Sequence, residues 1–147
     1  MVVYEVGIIT EGGLPIITVN LRLEGQKADP ALQAGFLTAL QQFVSSTFSD
    51  ETQSFIMKRY SIFLMKIRLK VENEEVHIYA VGDKKASEKE VRKHLKIIGE
   101  RIQGMFPSLH DPSISENQTM NEIKVLIEQE FEDLKQKPVE RARKLFG

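Results

Sequence analysis

Residues 6–21, VGIITEGGLPIITVNL, hold two apolar stretches joined by Glu11-Gly12-Gly13. A glycine pair in this setting has two physical uses, a phosphate cradle or the corner of a hairpin. The flanks decide between them. Val2 to Thr10 is β-branched and aromatic, the composition of a strand. Leu14 to Leu23 repeats that character, with Ile17, Val19, Leu21 and Leu23 alternating against Thr18, Asn20 and Arg22. A phosphate loop runs from a strand into a helix N-terminus, whereas these glycines join strand to strand. They supply the positive φ of a short turn, so the sequence predicts a hairpin. Pro15 has no N–H to give to a ladder and places its end of the second strand at a sheet edge.

The rest of the chain extends this start. Asp29-Pro30 opens a helix, with Asp29 as N-cap and Pro30 at its first position. Leu32, Phe36, Ala39, Leu40 and Phe43 then share one face through to about Thr47. Ser54 to Tyr60 reads as a short strand. In the long strand that follows, Phe63, Met65, Ile67, Leu69 and Val71 alternate with Lys66, Arg68 and Lys70, which predicts one solvated side. Glu72 to Glu75 forms a turn and Val76 to Gly82 the last strand. Gly82 to Ala86 leads to a capping box, Ser87-x-x-Glu90. Behind the box lies the apolar stripe Val91, Leu95, Ile98, Ile102 and Met105, ended by Pro107. The segment SLHDPSISENQ has loop composition. A second capping box, Thr119-x-x-Glu122, opens a helix whose inner face is Met120, Ile123, Ile127, Phe131 and Leu134. The expected fold is α+β: a five-stranded antiparallel sheet with helices on its faces, in the order β-β-α-β-β-β-α-α.

At 147 residues the chain buries roughly 70% of its unfolded surface as one domain, without staples. It has no cysteine, which removes thiolate catalysis and disulfides from consideration. Twenty basic residues face 21 acidic ones, so the basic excess of a nucleic-acid binder is missing. MVVYEVGIIT reads as a strand rather than a signal peptide, and no uncharged apolar run approaches the ~20 residues that span a bilayer. The expected location is cytoplasmic, extending to the periphery of membranes. His77, His94 and His110 fall in a strand, a helix and a loop with no metal-ligand spacing, so no metal site is expected. No G-x-S-x-G, G-x-x-x-x-G-K-[ST] or G-x-G-x-x-G occurs, and VGDKKAS has too few glycines for a phosphate loop. Neither catalysis nor a cofactor is expected. The basic end, Lys135, Lys137, Arg141, Arg143 and Lys144, gives at most weak, salt-sensitive contact with an acidic membrane.

The pattern resembles the longin-like domains. The element order matches, as does the opening hairpin with its x-x-G-x-P turn, here EGGLP. So does a helix after the last hairpin strand that ends in phenylalanine, here HLKIIGERIQGMF. The stretch IMKRYSIFLMKIRL (Ile56 to Leu69) is similar to the K/R-R-Y-x-x-L-Y-F stretch of the sigma-type small subunits of clathrin adaptors. Related roadblock domains begin with a helix, while this chain begins with strand residues, which favours the longin type. The resemblance covers residues 1–106 as a longin-like domain, with 107–118 as a linker and 119–147 as a C-terminal helical extension. The 41 residues after Phe106 hold neither the membrane anchor of longin-containing SNAREs nor the GTPase domain of the signal-recognition receptor type, so neither role is expected. The resemblance thus implies a free-standing interaction module of membrane traffic or a comparable assembly, binding a small GTPase or a sister longin or roadblock subunit. The alternative is a structural small subunit of a coat or tethering complex without GTPase contact.

The helix at residues 30–47 supports an interaction role independently. Leu37, Val44 and Phe48 flank its core face and widen the apolar arc to about 180°, where a surface helix needs only ~100°. With Gln33 and Gln41 they are the expected partner-binding residues, the competing reading being burial within the same chain. Exposed edge strands add a homodimer to the expectations. A small-molecule sensor would need a cavity dotted with polar groups, and the inward-facing residues assigned here are almost all apolar.

Overall fold

The alternating apolar stretches pair into one antiparallel sheet. The structure, a computed structural model, describes residues 1–10, 15–23, 53–56, 59–109 and 116–135. Its strands are β1 (Val3–Thr10), β2 (Pro15–Asn20), β3 (Gln53–Ile56), β4 (Tyr60–Arg68) and β5 (Glu75–Asp83), in the spatial order β2-β1-β5-β4-β3. Two helices follow, α1 (Glu88–Met105) and α2 (Glu116–Glu130). The class is α+β, as the sequence predicts. The Glu11-Gly12-Gly13 corner and the helix expected at residues 30–47 lie outside the described residues.

β1 and β2 pair antiparallel, with Ile8 opposite Ile17 and Val6 opposite Val19. This is the predicted hairpin partnership. Pro15 is exposed on the outermost strand, where its missing N–H costs no ladder bond. A bulge between Ile8 and Ile9 marks the same end.

α1 lies on β4 and β5, and α2 lies against α1 and β2. Beneath the helices, Val6, Ile8, Val19, Phe63, Ile67, Ile78 and Ala80 from the sheet meet Val91, Leu95, Ile98 and Ile102 from α1. Ile123, Ile127 and Phe131 complete the same core. Residues 116–135 therefore share the core of the sheet. The chain after α2 also reaches β1 directly: the Val3 N–H donates to the Leu134 carbonyl at 2.7 Å, and Val3 bridges Lys135 in parallel.

Ser87 caps α1, its side chain accepting the Glu90 N–H at 3.4 Å, as the first capping box predicts. Phe106 is extended at φ −126°, ψ 105°, the geometry expected before a proline.

Four local expectations are corrected. α2 begins at Glu116, so Thr119 lies inside the helix and is buried rather than acting as its N-cap. Met105 is half exposed, because as the last helical residue it falls off the buried arc and Phe106 takes the inward position. β4 is not solvated on one side along its length: Ile62 and Leu64 are buried on the face away from the helices, clustered with Ile9, Tyr79 and Val81. The run SIFLM is apolar at both parities, which suits a strand covered on two faces. Glu75 belongs to β5 and not to the turn. The turn itself is tight, with Glu72 and Asn73 at φ 55° and 50° and the Glu74 N–H donating to the Val71 carbonyl at 3.0 Å.

Candidate functional site

The face of the sheet away from α1 and α2 holds buried ionisable side chains, Glu5 and His77 among them. Glu5 interrupts the apolar run of β1, and strand alternation turns it away from Val6 and Ile8 onto that face. It is 3% exposed. A carboxylate so buried needs partners, and two neighbouring strands provide them. The Tyr79 hydroxyl on β5 donates to Oε2 of Glu5 at 2.8 Å. Nη1 of Arg22, just past β2, donates to Oε1 at 3.2 Å and to the Asn20 side chain at 3.3 Å. The Thr18 side chain hydrogen-bonds the Tyr79 phenol, and the Arg22 guanidinium stands 5.9 Å from the Tyr4 ring centroid.

Burial, and then the adjacent Glu5 carboxylate, push the Tyr79 phenol well above its ordinary range, so it stays a neutral donor. Burial and the Asp83 carboxylate likewise raise Tyr4. With both Glu5 oxygens engaged, the cluster ties β1, β2 and β5 together. Reasoning from sequence assigned almost wholly apolar inward residues and missed this cluster. The available signal was Glu5 itself, a lone charge within VVYEVGII.

Further along that face, His77 is 6% exposed and its Nε2 has no hydrogen-bond partner among the described residues. It stands opposite Ile9 on β1 and Lys66 on β4. Burial first, then Lys66, lower its pKa, while Glu75 opposes the shift. Glu75 meets Arg68 at 3.0 Å and Lys66 at 3.7 Å. On the helix side, His94 of α1 joins Glu130 of α2 at 2.8 Å, its ring 5.4 Å from that of Phe131. His77 and His94 do not converge, being on opposite sides of the sheet, and His110 lies outside the described residues. Among the described residues no group of three or more His, Cys, Asp or Glu is placed to hold a metal. No helix among them is long and apolar enough to cross a membrane.

The expected partner-binding residues Gln33, Leu37, Gln41, Val44 and Phe48 lie outside the described residues, as do Lys137, Arg141, Arg143 and Lys144. Lys135 is described and pairs with Glu132 at 2.9 Å. What the described residues offer to a partner is the sheet's two outer strands. Pro15, Thr18 and Asn20 are exposed on β2, and Ser54 is exposed on β3. Ile56, also on β3, is 82% exposed.

No protein-family model matches the chain. No curated protein matches it. Among solved structures it is similar to "MglB with tetrameric arrangement", at 15% identity and TM-score 0.49, covering 69% of this chain and 76% of that one. It is also similar to the gliding protein MglB from Thermus thermophilus, at 18% identity and TM-score 0.45, with the same two coverages.

Proposed function

We propose that this chain is a non-enzymatic interaction module of longin type, cytoplasmic, that binds a small GTPase or a sister longin or roadblock subunit. The observation that carries the reading is the exposed outer strand β3, where Ile56 is 82% exposed at the edge of the sheet. An outer strand of this kind accepts another strand or an apolar contact from a partner. The antiparallel sheet and its two following helices agree with the longin resemblance of the sequence. The polar groups of the opposite face support the same reading, since Glu5, Tyr79 and Arg22 are engaged with one another.

The test is capture of partners on the immobilised chain from a lysate of its own source, once with GDP and once with a non-hydrolysable GTP analogue. A small GTPase held in one nucleotide state, and lost with Ile56→Asp, is the expected result. A coat or tether subunit held regardless of nucleotide would replace the GTPase in this reading with a structural assembly. Turnover of nucleotide by the purified chain alone would overturn the non-enzymatic assignment.

A further inference from the structure

Between Lys84 and Lys96 the chain carries six basic residues, Lys84, Lys85, Lys89, Arg92, Lys93 and Lys96, against two acidic ones, Glu88 and Glu90. The whole chain has a net charge of −1, so this is a local concentration of positive charge. All six are exposed, and none forms an ion pair among the described residues.

Their placement is ordered. Lys84 and Lys85 occupy the turn between β5 and α1. On α1, Val91, Leu95, Ile98, Gly99 and Ile102 face the core. At 100° per residue Lys89, Lys93 and Lys96 fall on the opposite, outward line, with Arg92 at their side. Within this strip Lys89 meets Arg92 and Lys93, and Lys96 meets Arg92 and Lys93, at the spacings where like charges repel. Lys89 also lies in the first turn of the helix, where the dipole disfavours cations. Glu88 stands four residues before Arg92 and Glu100 four after Lys96, spacings at which opposite charges attract, yet no ion pair forms there among the described residues, so the charge of the strip stays open to a partner.

The neighbouring helix does not neutralise the strip. Residues 116–135 hold six acidic residues against two basic ones, but Glu130 pairs with His94, Glu128 with Lys124 and Glu132 with Lys135. These acids also narrow the choice of occupant. α1 and α2 cover the same face of the sheet, so a planar anionic bilayer or a long polyanion laid across it would meet the acidic helix too. From Lys89 to Lys96 the strip is only about 10 Å long, at ~1.5 Å per residue. We infer that the strip formed by Lys84, Lys85, Lys89, Arg92, Lys93 and Lys96 docks a short acidic segment of a partner protein. This surface is separate from the outer strands of the sheet and does not depend on the partner being a GTPase.

The experiment titrates the full chain into a fluorescein-labelled oligoglutamate peptide and reads anisotropy at low and at physiological salt. Phosphatidylserine-containing vesicles and a DNA duplex serve as parallel probes. The expected result is peptide binding that weakens with salt and falls about tenfold or more in Lys89→Glu/Lys93→Glu. Lys89→Gln/Lys93→Gln should lie between, and Arg59→Glu, an exposed basic site elsewhere, should bind as wild type. Thermal stability of the charge-reversed variant should equal or exceed that of wild type, which separates lost binding from lost folding. Failure to bind peptide, or equal binding by wild type and Lys89→Glu/Lys93→Glu, overturns the inference. Tighter binding to vesicles or DNA than to peptide, lost in the same variant, also overturns it and assigns the strip to that polyanion.

Discussion

Gly7 of β1 lies beneath the aromatic ring of Tyr79 on β5, so closely that a Cβ built on the glycine would stand 2.5 Å from Cε1 of the ring. The ring cannot move aside cheaply, because Tyr79 is 1% exposed and its hydroxyl is held by Glu5 at 2.8 Å. Gly7→Ala should therefore destabilise the domain by about 1–3 kcal/mol despite alanine's lower backbone entropy cost. Chemical denaturation measures this. The loss should shrink when Gly7→Ala is made on a Tyr79→Leu background, as the double-mutant cycle requires of a pair in contact.

Tyr79→Phe keeps the ring over Gly7 but removes the donor to a buried carboxylate. Its expected cost is about 1–3 kcal/mol, the range for leaving a buried acceptor short of a partner. Glu5→Leu combined with Tyr79→Phe should cost less than the two single changes added together, because the unmatched acceptor goes too. The phenol's pKa is raised in the fold, so the unfolded chain ionises first. Stability from Tyr79 is thus present below its ordinary value of 10 and is lost as pH rises beyond it. Tyr4 shifts in the same direction, so the informative quantity is the difference between wild type and Tyr79→Phe across alkaline pH.

His77 responds at the opposite end of the scale. Burial and Lys66 hold its pKa below the ordinary 6.5, so the unfolded state takes up the proton at higher pH than the folded state. Its stability contribution is present above about pH 6.5 and falls as pH drops toward the lowered value. His77→Leu should match or exceed wild type in thermal stability near neutrality, and its advantage should widen on acidification. An advantage that stays constant between about pH 7 and 5 would show that this site does not titrate as described.

Phe131 tests whether the C-terminal part is integral. It is fully buried, packs beside His94, and precedes the Leu134 carbonyl that accepts from Val3. Phe131→Ala should cost about 3–5 kcal/mol, as for other buried aromatics. The loss should appear as one cooperative transition, with hydrogen exchange rising in β1 and α1 as well as in α2. Exchange confined to α2 would mean an independently unfolding appendage.

Period and punctuation carried most of the architecture. Alternation of Ile17, Val19 and Leu21 placed β2 against β1, Ser87 and Glu90 located the start of α1, and the stripe from Val91 to Ile102 named its buried face. The Thr119 box failed because its residue types suit an N-cap while the helix had already begun at Glu116. Burial, which a local motif does not encode, decided that position. Ile62 and Leu64 were harder to read for the same reason: their neighbours Lys66 and Arg68 imply a solvated side, yet the strand enters cover partway along its length.

The sequence by itself determined the element types, the antiparallel hairpin and the inner faces of the two described helices, because local backbone preference and hydrophobic period act within a few residues. The basic strip was not singled out from the sequence, although its residues lie close together there, because its exposure and lack of ion pairs among the described residues are tertiary facts. Tertiary structure alone decided that Glu5, Arg22 and Tyr79 meet, that Gly7 leaves room for an aromatic ring, and that His94 reaches Glu130. Glu5 and Tyr79 are 74 residues apart in the chain. Their hydrogen bond depends on the register of β1 against β5, and a one-residue slip of either strand would turn one partner to the opposite face.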